Sequence, residues 1–249
     1  MNMIHSRAPS AQTLRVEPLT GIDMRLDAGA WQVDAALKAR IDAHWRDLVR
    51  EKPAVWNGTV LATRAAGAPG GIRVEDGVFR ASAVPMDYSC FSAWKSWGFP
   101  ELGFRNVFGS AVIESAEGDL VYGLMGGWTV NAGHVYPPGG SLEMRDVDAA
   151  GRVDLVGSIE IELEEETGLD ARQAEVRGMF VVFDGGRIAI ARRYRFDEGT
   201  ADLVSRIRRT LASQERPELD DVVVISGRAD IARHAMPGYA REIARRLVG

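Results

Sequence analysis

Ten acidic and two basic residues fall between Gly139 and Asp170, a local charge of −8 in a chain of 249 residues whose total is −5. Glu162, Glu165 and Glu166 stand at i, i+3 and i+4, a spacing that gathers them on one side of a helix. Ile159 and Leu163 fall on a different face and can anchor that helix to a core. Gly168 suits a left-handed stop, so a helix is predicted over 158–167. Carboxylates held this close repel one another unless something positive lies among them. A hard divalent cation such as Mg²⁺ or Mn²⁺ takes oxygen ligands, and Gly139-Gly140 permits a tight loop whose carbonyl oxygens approach such an ion. A solvated acidic face is the alternative reading of the same spacing.

The rest of the chain alternates short β-like runs with helices. Leu37, Ile41, Trp45 and Leu48 recur at helical spacing, with Asp34 placed as an N-cap and Pro53 as a stop, so a helix is expected over 33–51. Strands are expected at 58–64 and 72–83, the second interrupted by a turn at Glu75-Asp76-Gly77. An aromatic helix carries Tyr88, Phe91, Trp94 and Trp97. Further strands are expected at 107–114, 120–125, 176–183, 188–195 and 221–225, and helices at 201–212 and 237–247. The first twenty or so residues read as a loosely held tail or an irregular edge segment. Hairpins mixed with helices indicate an α+β architecture instead of a series of βαβ units.

The stretch Gly139–Leu169 resembles the Nudix box, G-x5-E-x7-R-E-U-x-E-E-x-G-U, where U is a bulky aliphatic residue. Glu162-Leu163-Glu164-Glu165-Glu166-Thr167-Gly168-Leu169 matches its second half in register, and Gly139-Gly140-Ser141-Leu142-Glu143 matches the loop that opens it. Three departures stand out. Counting from Gly140, Asp146 replaces the first box Glu; seven residues are inserted within the turn-like stretch around Asp148–Asp154; and Ile161 replaces the box Arg. Arg145, Arg152, Arg192 and Arg193 are the candidates to take that arginine's place in orienting the glutamates.

The resemblance implies a Nudix-type α/β/α sandwich with a mixed sheet over 106–249, preceded by an N-terminal α/β extension over 1–105 that packs on it. It implies a metal-dependent hydrolase that cleaves the diphosphate of a nucleoside diphosphate linked to another moiety, giving a nucleoside monophosphate and a phosphorylated product. Glu162, Glu165 and Glu166 would then hold Mg²⁺ or Mn²⁺ and form the catalytic set, with the carbonyl of Gly139 as a backbone ligand. Homodimers are common in that family, so a homodimer is among the forms to expect. A shorter likeness, Ile41–Trp45 followed by Val55-Trp56-Asn57-Gly58-Thr59, is similar to Nudix proteins that act on UDP-sugars. The competing class is a Nudix-fold module that has lost turnover and keeps a nucleotide ligand or protein partner; retention of both Glu165 and Glu166 favours the enzyme.

Outside the box, Glu215, Glu218, Asp220 and Asp221 cluster before a strand, and Glu218 is taken as a further metal ligand. Arg192 and Arg193 are candidates to clamp phosphate by paired hydrogen bonds, and Glu143 is a candidate substrate contact. Other chemistries lack their residues. No G-x-x-x-x-G-K-[ST] phosphate loop and no nucleophile elbow occurs, and four unspaced histidines do not suggest a histidine metal site. The acidic balance and the lack of a helix-turn-helix argue against nucleic acid as a partner. No apolar run approaches the about 20 residues of a membrane helix, and Cys90 has no partner for a disulfide. A soluble, cytoplasmic protein acting on a small molecule is expected.

Overall fold

The computed structural model describes residues 14–249 apart from 28, 30 and 54. Asp34 caps the first helix as its spacing predicts, accepting the Leu37 N–H at 2.7 Å, and α1 spans Ala35–Glu51. Ahead of it lie β1 (Arg15–Leu19) and β2 (Gly21–Leu26); the segment expected to be a loose tail or an irregular edge contains β1, a regular strand at the sheet edge, and its part over 1–13 lies outside the described residues. After α1 come β3 (Thr59–Arg64), β4 (Arg73–Glu75), β5 (Val78–Asp87) and α2 (Tyr88–Ser96). Asp76 and Gly77 both take positive φ, 52° and 76°, in the tight turn joining β4 to β5.

The second half opens with β6 (Phe104–Glu114), followed by β7 (Leu120–Met125) and β8 (Val135–Tyr136). Helix α3 (Leu155–Thr167) is the acidic helix, and Gly168 ends it at φ 71°. Then come β9 (Glu175–Asp184), β10 (Arg187–Arg195), α4 (Thr200–Ser213), β11 (Leu219–Ile225), α5 (Arg228–Arg233) and α6 (Gly238–Leu247).

Among the described residues the strands form one mixed, eleven-stranded sheet. Strand β6 is parallel to β10 and antiparallel to both β7 and β3. The strands before residue 105 therefore continue the sheet instead of lying against it. Strand β1 adds to the far edge, antiparallel to β9 with Leu19 opposite Met179; β2 runs parallel to β5. Neighbouring residues on a strand face opposite sides, and β6 shows what each side meets. The Phe108 ring lies 4.9 Å from that of Tyr239 on α6. At Gly109 a Cβ would fall 2.3 Å from Ile159 Cγ1 on α3. Helices thus cover both faces of an α+β fold, in the α/β/α arrangement expected. Burying Ile159 and Leu163, each with no exposed surface, contributes about 1.5–3 kcal/mol per side chain and fixes α3 against the sheet.

Candidate functional site

Helix α3 places Glu162, Glu165 and Glu166 in unequal surroundings. Glu165 is largely exposed, Glu162 is mostly covered and Glu166 is buried at 4% exposure. The Gly139-Gly140 loop closes over them. The Gly139 N–H points to Glu166 Oε1 at 3.4 Å, and a Cβ at Gly140 would fall 2.4 Å from Glu162 Oε1. A side chain at 140 would occupy the space the Glu162 carboxylate uses.

Burial first, and the charges of Glu218 and Glu162 next, push the Glu166 carboxyl far above the usual carboxylate range. Glu162 rises to about 7, from burial offset by Arg145 and reinforced by Glu165 and Glu218. Glu218, at the water-facing margin, is raised by partial desolvation and then by Glu165. Two like charges about 4 Å apart repel by roughly 4 kcal/mol at a dielectric near 20. These groups are therefore a store of repulsion that a cation would relieve. Glu166 Oε2 is buried without a hydrogen-bond partner, and an acceptor in that state costs about 1–3 kcal/mol or more.

Among the described residues, the positive group at these glutamates is Arg145. Its guanidinium donates to Glu162 Oε1 at 2.9 Å and to Glu165 Oε1 and Oε2 at 3.2 and 3.4 Å. Of the four arginines that could replace the box Arg, this is the one at the glutamates. Arg152 pairs with Asp148 at 2.8 Å. Ile161, where the box has arginine, is 40% exposed on the same helix.

The inserted residues form a small, internally bonded loop. Asp148 Oδ1 accepts the Ala150 and Arg152 N–H groups at 2.8 and 2.9 Å. The loop docks on β2 through the Leu26 N–H to Gly151 O bond at 2.8 Å. Asp146 is buried, and its Oδ2 accepts the Glu143 N–H at 2.7 Å; its role is to close the turn that presents Arg145. Glu143 itself stands 3.9 Å from the Arg145 Nε.

Arg192 and Arg193 have their partners elsewhere. Arg193 pairs with Glu114 at 2.7 Å, and Arg192 stands 3.8 Å from Glu160 and faces the Tyr194 ring. None of their hydrogen bonds or ion pairs among the described residues reaches Glu162, Glu165, Glu166 or Glu218. Asn57 of the shorter likeness accepts the Ser89 N–H at 2.8 Å, at the first turn of α2, while Trp56 is 66% exposed.

The site also holds residues that spacing did not reveal. Tyr136 and Tyr88 lie in the fields of the acids: burial, Tyr239, Glu166 and Glu218 push the Tyr136 hydroxyl up, and burial and Glu218 do so for Tyr88. The loop from Gly126 to His134 is tied to Glu218 by the Gly126 N–H to Glu218 O bond at 2.8 Å. The Trp128 Nε1–H donates to Pro217 O at 2.9 Å. No local pattern marks these positions, because they converge only through the fold.

Among the described residues no three histidine, cysteine or carboxylate side chains are arranged as a ready cage for an ion. The fit to a divalent cation lies in the chemistry of the donors and in the partnerless Glu166 oxygen.

No family model matches the chain, and no curated protein matches it. Solved structures similar to part of it include Nudix hydrolases. The MutT protein from Methanosarcina mazei Go1 is 19% identical over 57% of this chain and 92% of that one, at a TM-score of 0.39. A putative nudix hydrolase family member from Chromobacterium violaceum is 18% identical over 57% and 75%, at 0.35. A NUDIX hydrolase from Nitrosomonas europaea is 16% identical over 57% and 80%, at 0.34. No helix among the described residues is long and apolar enough to cross a membrane.

Proposed function

We propose that this chain is a Nudix-type hydrolase that cleaves the diphosphate of a nucleoside diphosphate derivative, with Glu162, Glu165 and Glu166 holding Mg²⁺ or Mn²⁺. Glu218 and the Gly139 backbone complete that set. The observation that carries the reading is the Glu166 carboxylate: buried, among three other acids, and with Oε2 unpartnered. A structural role alone gives no reason to keep a glutamate in such a place, whereas a cation would repay its burial. A divalent cation there supplies neutralisation of phosphate charge and a more acidic bound water. The protein's own part is positioning. Arg145 holds Glu162 and Glu165 side by side, the task that the resemblance gives to an arginine at 161. Gly140 keeps side-chain atoms out of the space beside Glu162.

The test is incubation of the full chain with Mg²⁺, and separately Mn²⁺, against a panel of nucleoside diphosphate compounds that begins with UDP-sugars and includes ADP-ribose, dinucleoside polyphosphates and coenzyme A derivatives. Release of a nucleoside monophosphate from at least one, dependent on the metal, is the expected result. Inactivity across the panel with either metal would replace the hydrolase reading with that of a ligand-binding module.

A further inference from the structure

The acidic pocket has a basic neighbour. Lys52, at the end of α1, donates from Nζ to Thr129 O at 3.0 Å. Lys95, in the last turn of α2, donates from Nζ to Asn131 Oδ1. Both ammonium groups therefore meet the loop whose other end is bonded to Glu218 and Pro217. The Asn131 amide also donates to the Tyr136 hydroxyl at 2.8 Å, and Tyr136 lies in the field of Glu166 and Glu218. Asn131 and Tyr136 thus stand between an acidic half and a basic half of one region.

Among the described residues neither lysine has a carboxylate within ion-pair distance. The third cation, Arg187, faces the Phe99 and Tyr239 rings and pairs with Asp184 at 2.5 Å, with its Nε buried and unpartnered. Burial, Arg187 and Lys52, in that order, push the Lys95 ammonium below its ordinary range. Both lysines are half-buried, and neighbouring ammonium groups without a carboxylate between them repel as the acids do. The two halves have opposite and complementary needs: the acidic half for a cation, the basic half for an anion.

We propose that Lys52 and Lys95, backed by Arg187 and oriented by Asn131, form a phosphate subsite that takes an anionic phosphoryl group of the substrate. The hydrolase reading supplies only the identity of that substrate; the subsite itself rests on the two lysines and the loop. The group is bound as an oxyanion by ammonium and amide donors, so its recognition needs no metal. This gives the segment before residue 105 a direct part in binding, since both lysines come from it.

The test separates the two halves. Inorganic pyrophosphate is titrated calorimetrically into the full chain with EDTA present. Saturable binding is expected. It should weaken at least tenfold in Lys95→Met and in Lys52→Met, persist largely in Lys95→Arg, and not weaken in Glu166→Gln. Thermal melts establish that each variant is folded, and Lys52→Met, at a helix end, keeps the test decisive if Lys95→Met does not fold. Absence of pyrophosphate binding to the wild-type chain, or equal affinity in folded lysine variants, would overturn the subsite. Lysine-dependent binding in a protein that hydrolyses nothing on the panel would overturn the hydrolase reading and leave the subsite standing. Hydrolysis with unaltered binding in the lysine variants would do the reverse.

Discussion

Glu166 and Arg145 are the two residues whose replacement says most about the site. Glu166→Gln keeps shape and removes charge, so it is expected to lower metal-dependent turnover by at least about 10²-fold, in line with the loss of a principal electrostatic group. The neutral amide also relieves repulsion from Glu162 and Glu218, so the metal-free variant should melt no lower than wild type and should no longer be stabilised by added Mg²⁺. A variant that melts well below wild type would mean that the carboxylate is a structural group. Arg145→Met should cut turnover about tenfold or more, because the two glutamates it bridges then repel. Ile161 is one turn before Glu165, within reach of an i,i+4 pair, so Ile161→Arg in the Arg145→Met background should recover part of the loss. Steady-state rates of the single and double variants check this; no recovery would mean that Arg145 acts by some other route.

At the scale of elements, α3 is set by what lies beneath and beyond it. Gly109 leaves the room that Ile159 fills. Gly109→Ala should destabilise the fold by about 1–3 kcal/mol through overpacking, read as a lower urea midpoint, and should displace the glutamates enough to lower turnover as well. Helix α3 was legible in the sequence because its period, its anchors and its stop agree: Ile159 and Leu163 on one face, glutamates on another, Gly168 at the end. Strands β1 and β2 were not, because Arg15, Glu17, Asp23 and Arg25 make them look polar. Their stability comes from distant partners, Phe183 to Met179 for β1 and Val78 to Ala83 for β2. The arginine that serves the glutamates could be narrowed to four candidates and no further. Arg145 reaches Glu162 from a loop 17 positions earlier, a distance fixed by the turn at Asp146 and not by any helical spacing. Lys52 and Lys95 left no sequence trace of a site for the same reason: each is an ordinary lysine at the end of a helix until the sheet brings α1 and α2 to the loop at 126–134.

The whole molecule is held in part by charge pairs at the seam of its sheet. Glu114 is 7% exposed at the end of β6 and binds Arg193 and Arg195 on β10 at 2.7 and 2.8 Å. Burial alone would raise its carboxyl, but hydrogen bonds from the two arginines outweigh this and hold it below the ordinary glutamate value. A carboxylate whose folded pKa is depressed adds stability above its unfolded value, and that stability is lost as pH falls through the folded value. Acidification from about pH 5 downward should therefore destabilise the wild type. Glu114→Gln should remove this contribution and cost about 3 kcal/mol at neutral pH by leaving the arginines unpaired. Denaturant midpoints across pH check it; a variant with the wild-type pH slope would show that the pair is not the source.

The charge of the chain has the same logic on a larger scale, with acids concentrated over Gly139–Asp170 and lysines from the first hundred residues placed beside them. On the proposed function, the acidic face holds a divalent cation. Titration of Mn²⁺ into the full chain, followed by electron paramagnetic resonance of the free ion, reads that binding itself. Saturable binding to the wild type that Glu166→Gln weakens by at least tenfold is the expected result. No saturable binding, or equal binding in a folded Glu166→Gln variant, would contradict it.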